Sequence, residues 1–131
     1  METKMIWANL VSHDLQRTIK FYTDLGFKQN GKETEELVSF VFGESNFVIN
    51  FFVPVRLEYA LRGKLLKTAG ENEIIFSLSA KTREEVDLWH EKVKAIGGTI
   101  FAEPENFEAG YTFGFTDPDG HKFNFLYWPG M

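Results

Sequence analysis

The sequence predicts one order of secondary structure twice, and this repetition is what most constrains the fold. In the first half, a strand over residues 5–11 precedes a helix that ends at Gly26, and strand candidates follow at residues 27–32, 37–42 and 46–53. In the second half, a strand over 73–80 precedes a helix that ends at Gly97-Gly98, and strand candidates follow at 99–103, 111–116 and 121–128. We therefore predict one domain over residues 1–131, built as two βαβββ modules at about 5–53 and 73–128. The connector over 54–70 contains a predicted short helix around 57–61.

Both predicted helices have start and stop signals. Ser12 or Asp14 is the candidate N-cap of the first helix, and the run from Thr82 to Glu85 matches a capping box at the second. Glycine follows each helix, as is typical of a C-terminal stop. The apolar residues recur at helical spacing, at Leu15, Ile19, Tyr22 and Leu25 and again at Val86, Trp89, Val93 and Ile96.

The last two strands are joined by a turn with strong sequence signals. In Asp117-Pro118-Asp119-Gly120, proline fixes one backbone angle, aspartate bonds its own backbone and glycine takes the left-handed conformation. The strand after the turn alternates between two faces. One face carries Phe123, Phe125 and Tyr127, and the other carries Lys122, Asn124, Leu126 and Trp128.

Composition limits the classes of function. Because the chain has no cysteine, disulfides, thiolate nucleophiles and thiolate metal sites are excluded. The net charge of −5 argues against a nucleic-acid partner. The longest apolar run, residues 47–55, is too short to span a bilayer, and the first residues show no signal-peptide pattern. We therefore expect a cytoplasmic protein with no membrane partner, and the aromatic share of 16% favours a large core, a lined cavity, or both.

Three stretches of the chain resemble the vicinal oxygen chelate superfamily, which includes glyoxalase I, extradiol dioxygenases, and fosfomycin and bleomycin resistance proteins. They are LVSHDLQRTIKFYTDLGF over residues 10–27, the Gly97-Gly98 helix end with its following strand, and FTDPDGH over residues 115–121. The resemblance implies an α+β fold in which paired βαβββ modules form a cup-shaped mixed sheet, with the helices on the outer face. It also implies a homodimer.

The resemblance implies positions for a metal as well. Enzymes of this superfamily hold a divalent ion with His or Gln, Glu, His and Glu side chains from four strands. The matching positions in this chain are Trp7, Asn50, Ile75 and Asn124. Tryptophan and isoleucine cannot coordinate a metal, and neutral amides are poor ligands for a catalytic transition metal. We therefore expect no metal and no other cofactor.

The remaining titratable residues give weaker candidates. We expect solvated or structural roles for the three histidines: His13 at the start of the first helix, His90 on the outer face of the second, and His121 after the turn. Glu103 and Glu105 precede a predicted loop over 106–110, which leaves a general acid or base at the mouth of the cup as an open alternative.

Strand alternation then predicts which side chains line the cup. They are Trp7, Asn9, Asn50, Phe52, Ile75, Ser77, Lys122, Asn124 and Trp128. Aromatic walls with a few amides and one cation favour a small organic ligand, aromatic or cationic, held by a metal-free binding protein of the bleomycin-resistance type. Two alternatives stay open. Trp7, Phe52 and Trp128 could fill the cup as core, or the protein could be a metal-dependent lyase or dioxygenase with ligands at other positions.

Overall fold

The computed structural model describes residues 1–62 and 74–130. These residues form eight strands and three helices, and the chain divides into two compact units, Met1–Lys67 and Thr68–Met131. Each unit contains a four-stranded sheet with both parallel and antiparallel pairs. The α+β class and the repeated βαβββ order are therefore confirmed. Within the described ranges, no helix is long and apolar enough to cross a membrane.

The first unit follows the predicted order. Its elements are β1 (Trp7–Val11), α1 (Leu15–Leu25), β2 (Lys28–Gln29), β3 (Leu37–Phe42), β4 (Phe47–Phe52) and α2 (Pro54–Ala60). The sheet has the order β1-β4-β3-β2, with β1 parallel to β4. Only two residues of the strand predicted over 27–32 are formed, because Gly31 at a φ of 76° turns the chain out of the sheet. Helix α2 begins earlier than predicted because Pro54, whose fixed φ suits a first helical position, starts it.

Helix α1 is fixed at both ends and packs on one face of this sheet. The Asp14 side chain accepts a hydrogen bond from the Arg17 N–H at 3.1 Å, so Asp14 is the N-cap. Gly26 ends the helix at a φ of 100°. Fully buried Tyr22 lies against the rings of Phe40 and Phe51, with centroids 5.4 and 4.8 Å away, which makes it the centre of the first core.

The second unit repeats this plan. Its elements are β5 (Ile75–Ser79), α3 (Arg83–Ala95), β6 (Thr99–Phe107), β7 (Gly110–Thr116) and β8 (Lys122–Tyr127). The sheet has the order β5-β8-β7-β6, with β5 parallel to β8. Strand β6 extends to Phe107, so most of the predicted loop is strand. Residues 63–73, which contain the end of the predicted connector and the start of the predicted fifth strand, lie outside the described residues.

The helix N-cap and the tight turn predicted for the second unit are both present in the structure. The Thr82 hydroxyl accepts from the Glu85 N–H at 3.0 Å, and the Glu85 carboxylate accepts from the Lys81 N–H. In the turn after β7, Asp117 Oδ1 accepts from the N–H groups of Asp119 and His121, and Gly120 has a φ of 87°. These bonds fix the register of β7 against β8. The register determines on which face of the sheet each side chain of β8 lies.

The core of the second unit is a stack of phenylalanine rings beneath α3. They are Phe113, Phe115, Phe123 and Phe125, all buried. Trp89 of α3 stacks on Phe125 at 4.2 Å with 8° between the rings. His90 is also buried against Phe113, so its predicted position on the outer face of the helix is wrong. The reason is spacing: Val86, His90 and Val93 recur at helical intervals and form the buried face of α3.

Candidate functional site

In each sheet, the asparagines predicted to line a site lie on the face opposite the phenylalanine core. We call this the amide face. In the first sheet it carries Trp7, Asn9, Asn50 and Phe52, and in the second it carries Ile75, Ser77, Lys122, Asn124 and Trp128. The alternation between core and amide face, predicted from the sequence, is therefore observed within each sheet.

On the amide face of the first sheet, two amides are joined by a hydrogen bond. Asn9 and Asn50 are directly paired between β1 and β4, and Asn50 Nδ2 donates to Asn9 Oδ1 at 3.0 Å. Trp7 is the diagonal neighbour of Asn50, a separation of about 7–8 Å that an indole ring can bridge. Trp7 is 53% exposed, so it is not a buried core side chain. The Phe52 ring, further along β4, lies 5.7 Å from the Arg56 guanidinium.

On the amide face of the second sheet, the corresponding amide lacks such a partner. Asn124 of β8 is paired with Ser77 of β5, at the position that Asn9 takes in the first sheet. Asn124 Oδ1 is buried and accepts no hydrogen bond from any described residue. A buried acceptor without a hydrogen bond destabilises the protein by about 1–3 kcal/mol, so a group that donates to this oxygen would be favoured.

Phe101 also lies on this amide face, although the strand alternation did not predict it as a lining residue. A register shift between Ile100 and Ala102 makes Phe101 the extra residue of a β-bulge in β6. Its ring lies over Gly114, where an added Cβ would be 2.4 Å from Phe101 Cζ. The glycine inside strand β7 was the available signal, since such a residue often marks a close approach.

Trp128 directly follows β8, the strand that contains Asn124. Its ring covers Gly110, where an added Cβ would be 2.7 Å from Trp128 Cε3, and it lies 6.4 Å from the Phe107 ring. Trp128 is four positions along the chain from Asn124, or about 13 Å in an extended conformation. The aromatic ring adjacent to Asn124 is therefore that of Phe101.

The four positions that the resemblance assigns to a metal are equivalent in the two sheets. Trp7 is paired with the residue two before Asn50, and Ile75 is paired with the residue two before Asn124. The geometry is thus duplicated, but the donor chemistry does not fit a divalent metal, since two amides are the only polar groups among the four. In the described part of the chain, no group of three or more His, Cys, Asp or Glu side chains could hold a metal ion.

The titratable candidates lie elsewhere. His90 Nε2 is 2.9 Å from Glu103 Oε2, a contact that links α3 to β6 on the helix-covered side of the sheet. Glu105 is paired with Thr112 beyond a second register shift, inside the strand rather than in a loop. His13 is exposed and His121 is buried after the turn, as the structural or solvated interpretation predicted.

A separate groove of about 560 Å³ lies at the start of α1. It is lined by Asp14, Leu15, Gln16, Glu33, Thr34, Glu35 and Val53, none of which was predicted as a site residue. A hydrogen bond from Gln29 Nε2 to Glu33 Oε2, at 2.6 Å, lowers the pKa of the Glu33 carboxyl. The charged side chains that line this groove are all carboxylates, and none of its lining residues belongs to the amide face.

Comparison with known proteins identifies the family. The Glyoxalase/Bleomycin resistance protein/Dioxygenase superfamily matches residues 4–125, so the chain belongs to this superfamily and the resemblance seen in its motifs is confirmed. No curated protein matches the sequence.

Solved structures agree with this assignment. A hypothetical protein from S. aureus is 32% identical, with 98% of this chain and 96% of that chain covered and a TM-score of 0.85. A glyoxalase-related enzyme from Fulvimarina pelagi is 18% identical, with 97% and 90% covered and a TM-score of 0.83. A lactoylglutathione lyase from Agrobacterium tumefaciens is 20% identical, with 99% and 98% covered and a TM-score of 0.72. At these last two identities the likeness concerns the fold alone.

Proposed function

We propose that this protein binds a small organic molecule on the amide faces of its sheets, without a metal ion. The observation that carries the proposal is the buried, unpaired Oδ1 of Asn124. A ligand that donates a hydrogen bond to this oxygen would remove a penalty of about 1–3 kcal/mol, which favours the bound state. Aromatic side chains on the same faces offer stacking surface, and the net charge of −5 favours neutral or cationic molecules over anions.

The alternative, a metal-dependent lyase or dioxygenase of the glyoxalase or extradiol type, has less support. At the four assigned positions, Trp7 and Ile75 provide no lone pair for a metal. For ligands at other positions, the described residues contain no group of three or more His, Cys, Asp or Glu side chains that could hold an ion. The family includes proteins with enzyme names, but membership by itself does not transfer a reaction.

We also propose that the protein is a homodimer. Strands β1 and β5 are edges of their sheets, and both begin with exposed apolar side chains. Ile6 is 77% exposed, Trp7 53%, Ile74 57% and Ile75 51%. Open apolar edges of this kind favour pairing with another chain, and a second copy is the partner that the superfamily resemblance implies.

The binding proposal is tested by giving Asn124 an internal donor. Ser77→Asn places an amide at the position that Asn9 takes in the first sheet, where its Nδ2 can donate to Asn124 Oδ1; the first-sheet bond runs the other way, from Asn50 Nδ2 to Asn9 Oδ1. Ser79→Asn is the matched control, because Ser79 lies on the same strand and face but is paired with Leu126. A set of planar aromatic and cationic fragments is titrated into the labelled protein, and the Asn124 side-chain amide signal is followed by NMR.

We expect fragments that shift this signal to bind about fivefold or more weakly to Ser77→Asn, and with unchanged affinity to Ser79→Asn, since the internal bond removes the unpaired acceptor. The proposal fails if no fragment shifts amide-face signals, or if both variants lower affinity equally. Asn124→Leu, which also deletes the acceptor, should weaken binding as well and leave the protein folded.

A further inference from the structure

Asn124 and Phe101 are direct neighbours on the amide face of the second sheet. Gly114 is paired with Asn124 across β7 and β8, and the Phe101 ring occupies the space that a side chain at Gly114 would fill. Directly paired residues have their Cβ atoms about 4.5–5.5 Å apart on the same face of a sheet. The ring therefore lies beside the Asn124 amide.

These two neighbours offer complementary surfaces. Phe101 is 46% exposed, so part of the ring is available for stacking. Asn124 as a residue is only half-buried, and the χ2 torsion of asparagine is broad. An incoming group that reaches Oδ1 meets an acceptor with no hydrogen-bond partner among the described residues. An amide oxygen accepts hydrogen bonds only, so that group has to carry an N–H or O–H.

We infer that this part of the site selects planar aromatic molecules that carry an N–H or O–H donor on the ring edge, with Phe101 as the stacking surface and Asn124 as the acceptor. The inference rests on the proposed function and narrows it from small organic ligands to one chemical class. It also adds Phe101 as a specificity-determining residue.

The probes for the test are indole and 1-methylindole, which share a ring system and differ in the N–H. Both are titrated into the protein, and dissociation constants are measured from NMR chemical shifts. We expect indole to bind about fivefold more tightly, as one neutral hydrogen bond to a buried acceptor predicts. In Asn124→Leu the two probes should bind with affinities that agree within about twofold, since the donor has lost its acceptor.

The contribution of Phe101 is tested against a matched aromatic residue on the same strand. Phe101→Ala should weaken both probes about fivefold while keeping the preference for indole, because stacking is common to both. Phe107 is 56% exposed and lies near Trp128 instead, so Phe107→Ala should bind both probes as the unchanged protein does. Thermal unfolding of each variant verifies that it is folded.

The inference is overturned if the unchanged protein binds both indoles equally, if it binds neither at millimolar concentration, or if Phe107→Ala weakens binding as much as Phe101→Ala. These outcomes differ from failure of the proposed function. That function fails if the wider set of aromatic and cationic fragments leaves the amide-face signals unmoved, or if Ser77→Asn and Ser79→Asn lower fragment affinity equally.

Discussion

The contact between Phe101 and Gly114 makes Gly114→Ala a sensitive probe of the second sheet. The new Cβ would lie 2.4 Å from Phe101 Cζ, 2.5 Å from Cε2 and 3.0 Å from Cε1. Carbon atoms pack at about 3.5–4.0 Å, so the ring has to move by about 1 Å. Overpacking of this kind costs about 1–3 kcal/mol, and the half-exposed ring, which can swing aside, places this case near the lower end.

The substitution also has a favourable effect on the unfolded state. Replacing glycine by alanine restricts the unfolded chain and stabilises the fold by about 0.4–1 kcal/mol where the backbone allows it. In the unchanged protein the two effects oppose each other, and we expect Gly114→Ala to be neutral or to destabilise by up to about 1 kcal/mol. In a Phe101→Ala background the clash is absent, so the same change should stabilise by about 0.4–1 kcal/mol.

The assay is a double-mutant cycle by urea unfolding, in which midpoints are compared at a common slope. The control is Gly110→Ala, whose Cβ would lie 2.6 Å from the backbone carbonyl oxygen of Tyr127. A backbone atom cannot swing aside, so Gly110→Ala should destabilise by about 2 kcal/mol with or without Phe101. The reasoning is refuted if Gly114→Ala changes the unfolding free energy equally in both backgrounds, within about 0.3 kcal/mol.

Three further predictions concern ionisation, metal content and assembly. The Tyr111 hydroxyl donates a hydrogen bond to Asp87 Oδ1 at 2.8 Å, and this bond raises the pKa of Tyr111. The resulting stabilisation is present below the unfolded-state pKa near 10, and it is lost as the pH rises through the higher folded-state pKa. Absorbance titration of Asp87→Asn should show this pKa fall, and an unchanged pKa would contradict the cause. Elemental analysis after dialysis should find no stoichiometric divalent metal, and one tightly held ion per chain would refute the metal-free proposal. Light scattering at micromolar concentration should give twice the 15.1-kDa chain mass, and a monomer mass would count against the dimer.

Local chemistry made much of the fold predictable. Short-range hydrogen bonds determine the N-caps at Asp14 and Thr82 and the turn at Asp117–Gly120. Each of these bonds joins residues no more than four positions apart, so a short stretch of sequence is enough to predict it. The alternation of β4 and β8 placed Asn50 and Asn124 on the face away from the core, because a strand buried on one face has a period of two.

Most of the wrong predictions concern features that are determined by contacts between residues far apart in the sequence. The burial of His90 depends on Phe113, and the extra residue at Phe101 depends on how β6 aligns with β7. Strand β2 is an exception, because its end is set by the turn at Gly31, a local signal inside the predicted strand. Similarly, the sequence placed Asn9 and Asn50 on one face but could not show that they bond to each other while Asn124 lacks an equivalent partner.

The bulge at Phe101 has a consequence for how such a protein can diversify. Strand β6 is an edge strand and pairs with β7 alone, so a single-residue insertion or deletion there alters one ladder of hydrogen bonds. Because side chains alternate, deleting one residue at the bulge would exchange which neighbour covers Gly114, while the phenylalanine stack of β7 and β8 stays in register. Recognition beside Asn124 can therefore change by a register shift of an edge strand, a route that leaves the pairing of β7 with β8 intact and that point substitutions do not provide.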